Sequence, residues 1–511
     1  MNKMKLRGVI AAVSGAMLLS FGINAMADTT DDIVNALMAK GVLTEEEGAL
    51  LMKGRTGEKE AAEAKKKTAV TAKYKDGIVF ESGDGDFSAT LNGRVHADYR
   101  YFGNEDGKNN PLPGVGAASS IGYSATANTN TSVPDTFELR RARIGMKAKF
   151  KKYYEAEVVG DFTSAGATID VAYLNVAWWK EAQFRFGIFK MPMNLEELTS
   201  SNNIDFMERS FVNALAPAKE IGLMLHGTPY KGITYALAGS NGNLKNAESD
   251  MREDGKDILG RVTANFAEIL DQKDMVLHAG LSFSQGDLPQ GVVGVNGRTE
   301  GRGVTFFSAP TLNDTTKFRS MDRSRYGAEG VVAYGPFKLQ GEWMRANNSF
   351  STNTRNYSLD MDNWYAEALW TITGEKYADI YKNGAFGGIK PKNDFNPTNF
   401  SGGAWEVGFR FSQFDASDYN AVGVGEDVGS DDTSFKTTAS GTPSANARGF
   451  AKADSYTVGI KFLPTSNMRF MLNYVKSEFS DAIGGATGGV VLNNKRINSE
   501  DALIMRAQWM F

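Results

Sequence analysis

D-A-L-I-M-R-A-Q-W-M-F, residues Asp501 to Phe511, closes the chain. Leu503, Met505, Ala507, Trp509 and Phe511 fall on one face of an extended strand, and Arg506 and Gln508 fall on the other. A period of two that ends on an aromatic residue suits a strand with lipid on one side and a wet interior on the other. Phe87 to Tyr101 repeats the pattern at greater length. Phe87, Ala89, Leu91, Gly93, Val95, Ala97, Tyr99 and Tyr101 share one face, against Ser88, Thr90, Asn92, Arg94, His96, Asp98 and Arg100. Strands of soluble sandwiches also alternate, but they run to about 5–6 residues. A long strand with ionisable groups along one face points to a tube with water inside. In lipid every backbone N–H and C=O needs an internal partner, and a closed ladder supplies one without leaving an edge.

Similar runs follow at 137–150, 153–162, 169–180, 183–190, 219–227, 232–240, 256–268, 274–285, 324–334, 337–346, 361–371, 405–415, 453–463 and 468–478. The fold class predicted is all-β: an antiparallel transmembrane barrel of about 16 strands over 74–511, with both ends on the periplasmic side. Connections alternate in length. Lys151-Lys152, Lys180–Ala182, Thr228–Lys231, Gly335-Pro336 and Pro464–Asn467 are tight, whereas 103–136, 286–323 and 416–452 are long and polar. The stretch 372–404 breaks the scheme, because parity puts it on the short-turn side.

Ahead of the barrel, Lys3, Lys5 and Arg7, the apolar run Val9 to Ile23 and Ala25-Met26-Ala27 read as a cleaved export signal over 1–27. Residues 28–73 read as a periplasmic helical and charged segment. Ile33, Val34, Leu37 and Met38 have helical spacing, and Thr44 to Glu47 match a capping box. Removing 1–27 takes away three bases and no acid, leaving 53 Lys+Arg against 60 Asp+Glu, a charge of −7. That balance excludes a strongly basic nucleic-acid binder. The absence of cysteine excludes disulfides, thiolate zinc, iron–sulfur clusters and covalently attached haem. No metal or other cofactor is expected.

The basic residues on inward positions are Arg94, Arg140, Arg141, Arg143 and Lys147. Adjacent arginines cannot both face inward in a regular strand, so a bulge, a loop edge or a pairing with Glu138 is expected near Arg140 and Arg141. Glu155, Glu157, Asp161 and Asp170 carry the opposite sign on the following strands, and charges on different walls create a transverse field. Met191 to Lys219 interrupts the barrel after the fifth strand with apolar residues at helical spacing. It is expected inside the tube, narrowing it, with Glu196, Glu197, Asn202 and Arg209 at the constriction. Three histidines, His96, His226 and His278, lie far apart, and no H-E-x-x-H, Walker A or G-x-S-x-G motif occurs.

Six motifs in this order resemble the phosphate-selective porin O/P family: F-S-A-T-L-N-G-R-V-H-A-D-Y (87–99), F-E-L-R-R-A-R-I-G (137–145), F-R-F-G-I-F-K (184–190), L-T-S-S-N (198–202), W-T-I-T-G-E (370–375) and G-A-W-E-V-G-F-R (403–410). The resemblance implies a homotrimer of sixteen-stranded barrels in the bacterial outer membrane, each with its third loop folded inward and a constriction lined by Arg and Lys. Arg94, Arg140 and Arg141 match basic positions of the family motifs, and Asp161 matches an acidic one. Glu197 and Asn202 stand where phosphate-selective members carry lysines, and 276–303 holds only Arg298 and Arg302 where an arginine ladder would run.

The expected function is an anion-preferring channel for phosphate, other oxyanions or small hydrophilic solutes. Its partners would be outer-membrane lipid and, through Phe511, the barrel-assembly machinery. The alternatives are an anchoring or structural barrel acting through residues 28–69 and a barrel enzyme.

Overall fold

In the computed structural model the described residues are 29–53, 60, 69–74, 77–103, 135–163, 166–242, 256–287, 295–310, 312, 318–422, 447–483, 489–492 and 495–511. The expected export signal and most of 103–136 and 416–452 lie outside them.

The N-terminal unit holds two helices, α1 (Thr29–Ala39) and α2 (45–53). They pack closely, since a Cβ on Gly48 would fall 2.0 Å from Met38 Sδ. The capping box forms as the spacing suggests. Thr44 N donates to Glu47 Oε2 at 3.0 Å and Glu47 N donates to Thr44 Oγ1 at 3.2 Å. The hydrogen bond from the Thr44 backbone, then that from its hydroxyl, holds the Glu47 carboxyl below its ordinary pKa.

Among the described residues, sixteen antiparallel strands pair in chain order. They are β1 (Phe87–Phe102), β2 (Thr136–Phe150), β3 (Tyr154–Asp161), β4 (Thr168–Trp179), β5 (Ala182–Lys190), β6 (Lys219–Tyr230), β7 (Ile233–Ser240) and β8 (Asp257–Asn265). Then come β9 (Met275–Asp287), β10 (Arg319–Tyr334), β11 (Phe337–Ser351), β12 (Asn356–Thr371), β13 (Ala404–Asp415), β14 (Arg448–Thr465), β15 (Met468–Ala482) and β16 (Ser499–Met510). The barrel closes where β16 pairs with β1, from Ala502↔Phe102 to Met510↔Arg94. Phe137 is 84% exposed and Trp509 49%, while Arg506 and Gln508 are 2% and 3% exposed, so the greasy face points out.

Several strands run further than the apolar alternation marks. Arg319–Tyr334 replaces 324–334, and Phe337–Ser351 replaces 337–346. The outward row of β11 explains why. Phe337, Leu339 and Trp343 give way to Arg345, Asn347 and Ser349, and Arg345 donates to Asp362 Oδ2 of β12 at 2.9 Å. The outer wall has left the hydrocarbon there, while the backbone ladder continues. Stacked Phe337 and Trp370 mark one aromatic girdle, and paired Trp343 and Trp364 mark the other.

The adjacent arginines are accommodated by a bulge. His96 pairs with Arg141 and Ala97 with Leu139, so Arg140 is the extra residue. Outward positions therefore slip from Phe137 and Leu139 to Ala142, Ile144 and Met146, and both arginines turn inward.

The interior departs from the expectation of a uniformly wet lumen. A group of inward residues of β11 to β16, among them Phe350, Met361, Phe414, Phe479 and Ile504, is apolar and buried. They hold two inward loops. The third loop (191–218) contributes Met193, Met207, Phe211, Val212 and Leu215, and each buried side chain contributes roughly 1.5–3 kcal/mol. Residues 295–310 of the fifth loop, read from sequence as an ordinary polar loop, contribute Val304, Phe306 and Phe307. A short piece, Thr305–Ser308, adds to the start of β14 through Phe307↔Gly449.

The anomalous stretch 372–404 also enters the barrel, from the periplasmic end. Tyr377, Phe386 and Ile389 pack on the inward Val276, Val331 and Leu369, and Tyr377 Oη donates to Glu406 at 3.0 Å. Its length comes from filling the tube.

One glycine tests the wall geometry. Gly187 of β5 has φ +122°, and a Cβ there would sit 2.1 Å from the Ala172 carbonyl oxygen. Strain of about 1–3 kcal/mol from the backbone and as much from overpacking predicts that Gly187→Ala loses heat-resistant, compact migration on denaturing gels well below the wild-type temperature. Identical melting would contradict this geometry.

Candidate functional site

The third loop is fastened across the barrel at many points. Leu195 N and Glu196 N donate to Glu342 at 2.7 and 2.8 Å. The Glu196 carboxylate accepts from Arg410 Nη1 at 3.0 Å and from Ser210 Oγ at 2.6 Å. Met207 N donates to Asn473 Oδ1 at 2.8 Å, and Phe211 N to Ser412 Oγ at 3.1 Å. Glu208 gathers three strand arginines. Arg100 lies at 2.7 Å, Arg140 at 2.9 Å and Arg506 at 3.4 Å. Asp98 binds Arg100 at 2.8 Å and Arg506 at 2.7 Å from beneath.

A cavity of about 750 Å³ lies between this loop, strands β1 to β8 and the periplasmic insert, touched by Asn383, Gly384 and Ala385. Eight cationic side chains line it, against three carboxylates, those of Glu157, Asp170 and Glu197. Five of the cations have acidic partners. Arg143 lies 2.7 Å from both Asp161 and Asp170, and Lys219 also binds Asp170. Arg209 lies 3.4 Å and Lys190 3.8 Å from Glu197. Arg261 binds Glu329 and donates to the Gly384 carbonyl at 2.9 Å.

The other three, Arg94, Arg141 and Arg185, have no carboxylate partner among the described residues. Arg94 Nη1 donates to Ser201 Oγ at 3.0 Å. Arg141 is buried with Nε and Nη1 unbonded. Arg185 lies 4.3 Å above the Tyr173 ring with Nε unbonded. A buried donor without a partner costs about 1–3 kcal/mol. Charge-assisted bidentate contacts from a guanidinium to an anion are among the stronger hydrogen bonds.

Of the residues singled out from sequence, Arg94, Arg141, Arg143, Glu197 and Arg209 border this cavity. Arg140 is tied to Glu208, Asp161 to Arg143, and Glu196 to Arg410. Lys147 stands opposite Glu157, and Asn202 Oδ1 lies 3.2 Å from His96 Nε2. The two signs do not occupy separate walls as expected. They face each other on the neighbouring strands β2 and β3, as Arg143↔Asp161, Lys147↔Glu157 and Lys149↔Glu155, so a simple transverse field is replaced by local pairing. Sequence reading passed over Arg185, Lys190, Lys219 and Arg261. Arg185 was within reach, since in F-R-F-G it sits between two outward phenylalanines.

The histidines bond Asn202, Asn175, and Glu329 together with Tyr381. No serine hydroxyl takes part in these contacts.

The family model described as phosphate-selective porin O and P matches residues 115–511. The chain belongs to this porin family. Porin O of Pseudomonas aeruginosa is 23% identical over 466 residues, 86% of this chain and 92% of that protein. An anion-selective porin from Comamonas acidovorans is 12% identical, covering 83% of this chain and all of that one, with a TM-score of 0.45. OprB of Pseudomonas putida is 9% identical over 84% and 95% of the two chains, with a TM-score of 0.47. This porin is a β-barrel channel of the outer membrane.

Proposed function

We propose that Arg94, Arg141 and Arg185 form the anion path of this channel, and that small oxyanions, phosphate among them, cross by exchanging guanidinium contacts. The observation that carries this reading is the excess of eight cations over three carboxylates in the open lumen, with three guanidinium groups left without acids. A narrow site replaces part of an anion's hydration with such contacts and releases the ion to the next one. Arg140, Glu196 and Asn202 then act by holding the third loop, and Arg143, Lys147 and Asp161 by setting the local field.

On the same reading, residues 1–27 direct export and are removed, and 28–73 stay in the periplasm. Phe511 presents the last strand to the assembly machinery, lipid covers the aromatic girdles, and three copies assemble. Membership of the porin family favours a channel without catalysis over a barrel enzyme.

The test is a planar bilayer under a KCl gradient. The reversal potential is expected to have the sign of an anion-selective pore. A cation-selective sign would leave the pore and remove its anion path.

A further inference from the structure

Porin lumens are lined by polar groups because water fills them. One wall of this cavity breaks that rule. Stepping two residues from the row Arg94↔Arg143↔Asp161 toward the periplasm, the inward positions become Gly145↔Val159↔Val171. One step further stands Tyr173, whose hydroxyl donates to Glu157 at 2.6 Å. Phe189, Met224 and Ala236 continue the apolar wall across β5, β6 and β7. The outward faces of these strands already carry the lipid-facing residues, and the third loop finds its own apolar partners on β11 to β16. Lipid does not account for apolar side chains on this inner wall, and of the third loop's buried apolar residues Met191, at its root, is the one that packs against Tyr173, Phe189 and Met224.

A cation is set into the same wall. Arg185 stands opposite Met224, with its guanidinium 4.3 Å from the Tyr173 ring and 5.8 Å from the Phe189 ring. Both rings lie within cation–π range of it, and no acid among the described residues pairs with it. Arg94 and Arg141 border the same cavity on the extracellular side of the patch. A hydrated inorganic ion gains nothing from carbon surface between its cationic stations. A solute with an acidic head and a carbon body gains about 25 cal/mol for each Å² of apolar surface taken from water.

We propose that the lumen is built for organic oxyanions, an acidic head joined to a short apolar body. The head moves from Arg94 and Arg141 to Arg185 while the body slides along Val159, Val171, Tyr173 and Met224. This proposal rests on the anion-channel reading and names its cargo class.

The test holds the head constant and varies the body. Chloride current through the purified porin in planar bilayers is titrated with inorganic phosphate, methyl phosphate, butyl phosphate and phenyl phosphate, at a pH where all are dianions. Half-blocking concentrations are expected to fall along this series, with phenyl phosphate at least tenfold below inorganic phosphate, about 1.4 kcal/mol. Phenol, which lacks the head, is expected not to block. In Val171→Thr/Met224→Gln the ratio of phenyl phosphate to inorganic phosphate is expected to collapse toward one.

Equal block by all four phosphates in the wild type overturns the proposal, as does a ratio unmoved by the double substitution. The wild-type series stands even where the variant fails to fold. An anion-selective reversal potential with equal block removes the organic preference alone, whereas a cation-selective potential removes the anion path beneath it.

Discussion

Replacing Arg94, Arg141 and Arg185 together with serine is expected to bring the KCl reversal potential close to zero. These three guanidinium groups face the cavity without an acid, whereas the other five cations share their fields with Asp170, Asp161, Glu197 and Glu329. At ~6 Å from a passing ion, a unit charge is worth about 0.7 kcal/mol in bulk water and more where the wall lowers the effective dielectric. Three such charges make a change of roughly tenfold or more in the anion-to-cation permeability ratio. Arg143→Ser is expected to shift the potential less than any one of the three, because it releases Asp161 and Asp170 at the same time. A triple variant as anion-selective as the wild type would show that selectivity is set elsewhere.

The second large effect concerns the third loop. Glu208→Ala removes the carboxylate shared by Arg100, Arg140 and Arg506 and leaves only Asp98 and Glu138 against that cluster. Breaking a buried ion cluster by taking out one partner costs about 3–5 kcal/mol. The apolar residues of the loop keep it near the wall, so the expected result is a loosened loop within a closed barrel. The single-channel current should rise and become noisy, while compact gel migration persists to a somewhat lower temperature. Quiet channels of wild-type conductance would mean that the apolar contacts alone fix the loop. Arg140→Ala is the matched control. It removes one arginine from the cluster and leaves Glu208 neutralised, so a smaller rise in current is expected.

Much of the barrel was legible because a single physical constraint writes it into the chain. Lipid outside demands apolar residues at every second position, and closure demands a partner for every backbone group. Strand ends were less legible, since apolar alternation stops at Trp343 and Trp364 while hydrogen bonding runs on to Ser349 and Ser358. The inward placement of the third loop could be read from its own apolar spacing. That of the fifth loop and of 372–404 could not, because their few apolar residues, Phe306, Phe307, Tyr377 and Phe386, are scattered among Gly, Asn and Lys. They find partners only once the barrel wall supplies them. Among the basic residues the sequence showed that Arg140 and Arg141 needed an irregularity, but not which of the two would be spent on a loop carboxylate. That choice depends on Glu208, 68 residues away from Arg140.

The irregular pairing at Arg140 carries an evolutionary consequence. The extra residue and the slip in alternation occupy the same position. Losing that one codon would leave Leu139 directly before Arg141, restore regular pairing with His96 and Ala97, and keep every oily side chain of β2 on the oily side. A lineage could thus discard one positive charge from the channel by an in-frame deletion, a class of change that in most membrane strands would turn the wall inside out.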